Sequence, residues 1–177
     1  MAKTETIRFR RKGKTDYKKR ITLLKSGMPR LVVRPSLHHM QVQAIEYDEK
    51  GDIVVARAHT SELRKLGWKY GTGNMPAAYL TGLLLGKRVK HKKLVPDVNS
   101  RGNRQYAVIK GVIDAGIEVP CSIELKEDRL QGKHISSYAP QAKGNQFAKL
   151  KEQDLGKLPE EFNTIKKKIM EGADGKG

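Results

Sequence analysis

The 177-residue sequence has one cysteine, one tryptophan, three phenylalanines and only 19 acids against 36 Lys and Arg. Each scarcity excludes something. The lone Cys121 rules out an internal disulfide framework and fits a reducing, cytoplasmic setting. With one Cys, and with His38 and His39 merely adjacent, no zinc-ligand spacing exists, so no metal is expected. The longest apolar stretch, around "AAYLTGLLLG", is far too short to span a bilayer, so no membrane partner is expected. No signal-peptide core follows the basic start, and a mitochondrial transit peptide would be richer in serine.

The shortage of acids is the most informative of these. The formal net charge is +17 and the pI about 10.0, a balance that opposes compaction and favours a polyanionic partner. The excess is not spread evenly. Residues 1–34 hold 12 Lys/Arg against 2 acids and residues 87–110 hold 8 against 1, while 35–86 balance at 5 and 5 and 111–177 at 11 and 11. A surface made soluble by charge alone would mix the signs. Two concentrated blocks read as a footprint for phosphates.

The chain divides into three parts: a basic arm with a short helix over 1–27, a globular α/β core over 28–123, and a polar helical extension over 124–177. Residues 1–14 have few apolar anchors and are expected to form an extended arm. "TDYKKRITLLKSG" predicts a short helix with Thr15 as N-cap, Asp16 in its first turn and Gly27 as its stop. "RLVVRPS", "HMQVQAIEY" and "IVVARAHT" predict an antiparallel three-strand meander, with "DEKGD" as a hairpin turn. "GTGNMPAAYLTGLLLGKRVKHKK" predicts a helix capped by Asn74, with Lys87, Arg88, Lys90 and Lys92 in its last turns. "LVPDV" predicts a strand, "RQYAVIKGVIDAG" a helix, and "IEVPC" a fifth strand. The expectation is therefore an α/β (α+β) fold: a mixed five-stranded sheet, meander then α-β-α-β, with helices packed on it.

Strand alternation puts Arg30, Val32 and Arg34 on one side of the first strand, Gln41 and Gln43 off the core side of the second, and Arg57 with His59 on one side of the third. Leu31, Val33, Met40, Val42, Val54 and Ala56 are expected to face the helices. If the polar sides coincide, the sheet shows a donor-rich cationic face, which the flanking arm turns toward nucleic acid rather than plain solvent. Tyr17, amid Lys18, Lys19 and Arg20, either stacks on a base or packs on Leu24. Trp68 reads as a core or loop anchor. "GTGN" precedes a helix but has neither Walker nor G-x-G-x-x-G spacing, so no nucleotide cofactor is expected. A nuclease of similar sheet order is the sharp rival. It needs clustered carboxylates at strand centres for two metals, and the first strand offers Arg30 and Arg34 instead, with Asp97 alone in a promising strand.

Four motifs then add what composition does not. "TDYKKRITLLKSGMPRLVVRPS", "GWKYGTGNMPAAYLTGLLLGKR", "YAVIKGVIDAGIEVP" and "GKHISSY" resemble, in order and spacing, the archaeal large-subunit ribosomal protein L eighteen family, counterpart of eukaryotic L five. The resemblance covers roughly residues 8–171. It implies a non-enzymatic ribosomal constituent of ribonuclease-H-like fold. Such a protein would bind 5S rRNA and help attach it to the large subunit in the central protuberance, beside 23S rRNA and neighbouring proteins. The family's RNA-binding region falls here on Arg8–Arg20 (Arg8, Arg10, Arg11, Lys12, Lys14, Tyr17, Lys18 and Arg20 among them), Lys25, Arg30, Arg34, Ser36, His38 and His39. Gln41, Gln43, Arg57, Lys87, Arg88 and Lys92 join them from the sheet face and the second basic block. No homo-oligomer is expected. The alternative reading is a basic RNA-maturation or chaperone module not stably bound to ribosomes.

Overall fold

A computed structural model describes residues 16–98, 102–141 and 155–172. The first described element is helix α1, Tyr17–Leu24. Its N-cap is Asp16, whose carboxylate accepts from the Lys19 N–H at 3.0 Å, one residue later than expected. Thr15, with the rest of the arm, lies outside the described residues. Gly27 follows in the left-handed region at φ 65°, which turns the chain into the sheet.

Strands β1 (Arg30–Pro35), β2 (Met40–Glu46) and β3 (Ile53–His59) form the expected antiparallel meander, and β4 (Val95–Val98) adds in parallel beside β1. Among the described residues the sheet has four strands, in the order β3-β2-β1-β4, and not the expected five. The expected fifth strand, 117–121, contributes one isolated parallel bridge, Lys93 to Glu118. The reason is local. Pro120 has no N–H to give a ladder, and the Cys121 N–H turns back to the Val119 carbonyl at 2.7 Å.

One face of the sheet carries the core. Leu31, Val33, Met40, Val42, Ala44 and Ala58 are all buried there, beneath helix α2 (Met75–Arg88) and helix α3 (Asn103–Asp114). Val54 is not among them: it is 46% exposed. The register of β3 slips at Val55, so Ala44 faces Ala56 but Ile45 faces Val54. This bulge reverses the alternation and sends Val54 to the opposite face.

Helix α2 begins as expected, with the Asn74 carboxamide accepting from the Ala77 N–H at 2.9 Å. It is buried from Pro76 to Gly86, so it is the central helix of the protein. It ends at Arg88, and Val89 is already extended, which leaves Lys90 and Lys92 beyond it. α3 crosses it at glycine against glycine. A Cβ on Gly82 would lie 2.1 Å from the Val108 carbonyl oxygen, and one on Gly111 2.2 Å from that of Tyr79. No other residue permits that approach.

Trp68 is a core anchor, buried, with its indole N–H donating to the Gly71 carbonyl at 3.2 Å. After helices α4 (Glu127–Leu130) and α5 (Lys133–Tyr138), helix α6 (Leu158–Met170) returns to the same core. Leu158, Phe162, Ile165 and Ile169, spaced for one stripe, are all buried, with Phe162 against Tyr79. At roughly 2 kcal/mol per buried apolar side chain, that stripe holds α6 to α2 far more firmly than a solvated appendage.

Candidate nucleic-acid interface

The face of the sheet away from α2 and α3 is lined by alternate residues of all four strands. Cross-strand pairing aligns Arg34 with Gln41 and His59, Val32 with Gln43 and Arg57, and Arg30 with Ile45. Val95 and Asp97 of β4 extend the same rows beside Arg30 and Val32. The expected polar face therefore exists, but it is not uniformly cationic.

Asp97 sits within it and is nearly buried, its side chain 10% exposed. Its Oδ1 lies 3.3 Å from Lys19 Nζ, and its Oδ2 lies 3.2 Å from Arg30 Nη1 and 3.4 Å from Arg34 Nη2. Arg34 Nη1 also donates to the Asp97 carbonyl at 2.9 Å. Lys19 Nζ donates as well to the carbonyl of Val98. Arg30 then bridges onward: its Nη2 meets Asp52 Oδ2 at 2.6 Å, and Asp52 Oδ1 meets Arg20 Nη2 at 2.8 Å. Four cations thus share two carboxylates in one chain running Arg34, Asp97, Arg30, Asp52, Arg20, with Lys19 on Asp97.

This network reassigns several expected contacts. Arg30 is only 5% exposed, and both its terminal nitrogens are held by carboxylates, so it points into the protein rather than out to a ligand. Its Nε is buried without a partner. Arg34 and Arg20 are partly exposed but already paired. Asp52 is not merely a turn residue, because its carboxylate bends back toward α1. Removing Arg30 or Asp97, the two buried members, costs about 3–5 kcal/mol, since the other charge is left without compensation.

The remaining residues divide by exposure. Lys18, Lys25, Ser36, His38, Gln41, Arg57, Lys87 and Lys92 are exposed, while Tyr17 and Gln43 are half-buried. Ser36 and His39 close a tight turn: the Ser36 N–H donates to the His39 carbonyl at 2.8 Å, and the His39 N–H to the Ser36 hydroxyl at 3.0 Å. The turn presents Leu37, 81% exposed, and His38 at the tip. Arg104, which sequence reasoning missed, fastens this turn to the loop before α2, its Nη1 reaching the Ser36 and Gly73 carbonyls at 3.3 and 3.2 Å.

His39 is turned inward. Its Nδ1 lies 3.2 Å from the Thr60 hydroxyl and 3.1 Å from that of Thr72, and its ring leans on His59. Burial first, then the neighbouring His59, Arg64 and His38, holds its pKa below the ordinary imidazole value. It is a neutral structural residue here rather than a cationic donor to phosphate.

The second basic block meets the sheet at β3. Arg88 Nη1 donates to the Arg57 carbonyl at 2.8 Å and pairs with Glu62 at 2.7 Å, and Gln43, Val54, Arg57 and Arg88 line one groove. His91 reaches Glu46 at 2.6 Å. Arg8, Arg10, Arg11, Lys12 and Lys14 lie outside the described residues. Among the described residues no group of three His, Cys, Asp or Glu side chains is placed to hold a metal, and no helix is long and apolar enough to cross a membrane.

The structure defines a basic α/β protein with a cationic helix tied to one face of a four-stranded sheet, and comparison with known proteins gives its family. The family described as "Ribosomal large subunit proteins 60S L5, and 50S L18" matches residues 3–99. The large ribosomal subunit protein uL18 of Methanococcus maripaludis is 45% identical over 181 residues, covering 93% of this chain and 94% of that protein. The chain belongs to this family of large-subunit ribosomal proteins.

Proposed function

We propose that the protein is a structural constituent of the cytoplasmic large ribosomal subunit, where it binds 5S rRNA and helps fix it in the central protuberance beside 23S rRNA. Membership of the large-subunit family over nearly the whole chain carries this reading. The concentration of positive charge in two blocks supports it, as does the placing of α1 and β3–α2 so that Lys18, Arg57 and Lys87 reach solvent. The strand order β3-β2-β1-β4 is compatible with a ribonuclease-H-like arrangement. Binding on this reading is electrostatic and geometric: cations displace counterions from phosphates, the rigid sheet sets the register, and Tyr17 or His38 offers a ring to an unpaired base. No catalytic step is needed, and Asp97, the one carboxylate within the sheet face, is held by three cations rather than open to a metal.

The test is competition binding with purified 5S rRNA and a tRNA, followed by sedimentation with large subunits. Preference for 5S rRNA and one copy per subunit are expected. Equal affinity for both RNAs, with the protein left in the supernatant, would favour a free RNA-chaperone or maturation module instead.

A further inference from the structure

We infer that Asp97, in the outer sheet face, and Asp52, in the turn before β3, are the mount of helix α1: two carboxylates that strengthen RNA recognition although their charge opposes it. The inference rests on the 5S rRNA reading for its functional half. The structural half stands on the contacts alone.

Among the described residues the helix has no other firm attachment of its own. None of its residues is buried, Leu23 and Leu24 are only half-covered, and Ile21 is 54% exposed. An eight-residue helix is also too short to be stable by propensity. Its polar links to the sheet side fall on consecutive residues: Lys19 pairs with Asp97 and donates to the Val98 carbonyl, and Arg20 pairs with Asp52. Asp97 and Asp52 are in turn joined by one buried guanidinium, that of Arg30. Two anchoring points on adjacent residues fix both the position of a helix and its rotation about its axis. With Lys19 and Arg20 turned down, Lys18 stays in solvent.

Coulomb's law alone gives the opposite expectation to this one. Near a polyanion each carboxylate repels, so removing one should tighten binding to every RNA. If Asp97 positions the helix, removing it should instead weaken the binding that depends on geometry and leave the geometry-free binding the same or tighter. The sign of the effect therefore separates the two accounts.

The experiment uses the full chain with Asp97→Asn, Asp52→Asn and Lys19→Met. Affinities for 5S rRNA and for a tRNA are measured across a salt series, and amide exchange of Tyr17–Leu24 is followed in the RNA-free protein. We expect Asp97→Asn to weaken 5S rRNA binding about tenfold while tRNA binding holds or rises, and to speed exchange in α1 about tenfold. Lys19→Met should weaken 5S rRNA binding with its salt slope unchanged. It also leaves Asp97 paired with Arg30 and Arg34, so it answers the question if Asp97→Asn fails to fold. Tighter or unchanged 5S rRNA binding by folded Asp97→Asn would overturn the inference. So would a salt slope reduced by about one in Lys19→Met, which would make Lys19 a phosphate contact. Should the unaltered protein bind both RNAs equally, the 5S rRNA reading falls. The exchange of α1 then decides the mount by itself, with unchanged exchange in all three variants ending it.

Discussion

At Nδ1 of His39 two threonine hydroxyls converge, and only one of them has a hydrogen to give. Thr72 spends its own on the His38 carbonyl at 2.8 Å, while the Thr60 oxygen accepts from the Met40 N–H at 3.1 Å and keeps its hydrogen for the ring. An unprotonated Nδ1 accepts from Thr60, whereas a protonated one donates to the Thr72 oxygen. Protonating Nδ1 would strand the fully buried Thr60 hydroxyl, which agrees with a pKa lowered by burial and neighbouring charge. The folded protein therefore takes up this proton at lower pH than the unfolded chain does. Stability from this site is complete above the ordinary imidazole value and is lost as pH falls through it toward the folded value. His39→Asn, which keeps an acceptor near Nδ1 and cannot titrate, should flatten the decline in unfolding free energy between about pH 7 and pH 5, measured by urea denaturation. An identical decline in both proteins would place the titration elsewhere. Nothing in "SLHHM" distinguishes an outward His38 from an inward His39. The distinction comes from Thr60 and Thr72, more than 20 residues away in sequence. Asp97 was visible as an acid in a strand, but its three cationic partners arrive from α1 and β1, and no local pattern joins them.

Secondary structure was the more legible scale, because caps and alternation are local. Asn74, Gly27 and the meander turn each announce an element, and each is found where the chemistry puts it. The misses are also local, but they depend on choices that the sequence leaves balanced. In "IVVARAH", Val54 and Val55 are equally suited to either face, so the bulge that exposes Val54 has no signature. In "IEVPC" the β-branched residues favour a strand, and Pro120 limits it to a single bridge. The α2–α3 contact gives a test at this scale. Gly82 is set so close to α3 that a methyl group would overlap the Val108 carbonyl, and backbone on both sides leaves nothing flexible to move. Gly82→Ala should cost about 3 kcal/mol or more and lower the melting temperature by on the order of 10 °C. Gly71→Ala, where a Cβ meets nothing within 4 Å, is the control and should melt close to the parent. Equal melting of the two variants would mean that the helices separate more easily than their packing implies.

For the whole molecule, the distribution of charge does the work that a pocket does in an enzyme. The neutral stretches 35–86 and 111–177 supply most of the core, while the described cations of the first block include those of α1 and those of the second include the ones at the end of α2, where Arg88 meets β3. This division was legible from the sequence, since like charges concentrated in a folded domain need a partner. What it left hidden is that part of the first block is internal. Arg30, Arg34, Lys19 and Arg20 are engaged by Asp97 and Asp52, so fewer cations face a ligand than the count suggests. The salt dependence of RNA binding reports the outward-facing number directly, because each neutralised phosphate releases counterions and adds about one to the slope of log affinity against log salt. Affinity for 5S rRNA should fall roughly a thousandfold between about 50 and 200 mM salt. Neutralising Arg10, Arg11 and Lys12 together should lower the slope by about three if all three touch phosphate, and Lys87→Gln with Lys92→Gln by about two. Arg30→Met is the informative contrast: it removes a positive charge from the first block, yet should leave the slope unchanged while lowering stability, because its guanidinium meets carboxylates and no phosphate. A slope that drops by about one in Arg30→Met would mean that the ion network opens on RNA and gives Arg30 to the backbone. A slope unmoved by the triple neutralisation would take residues 10–12 out of the interface.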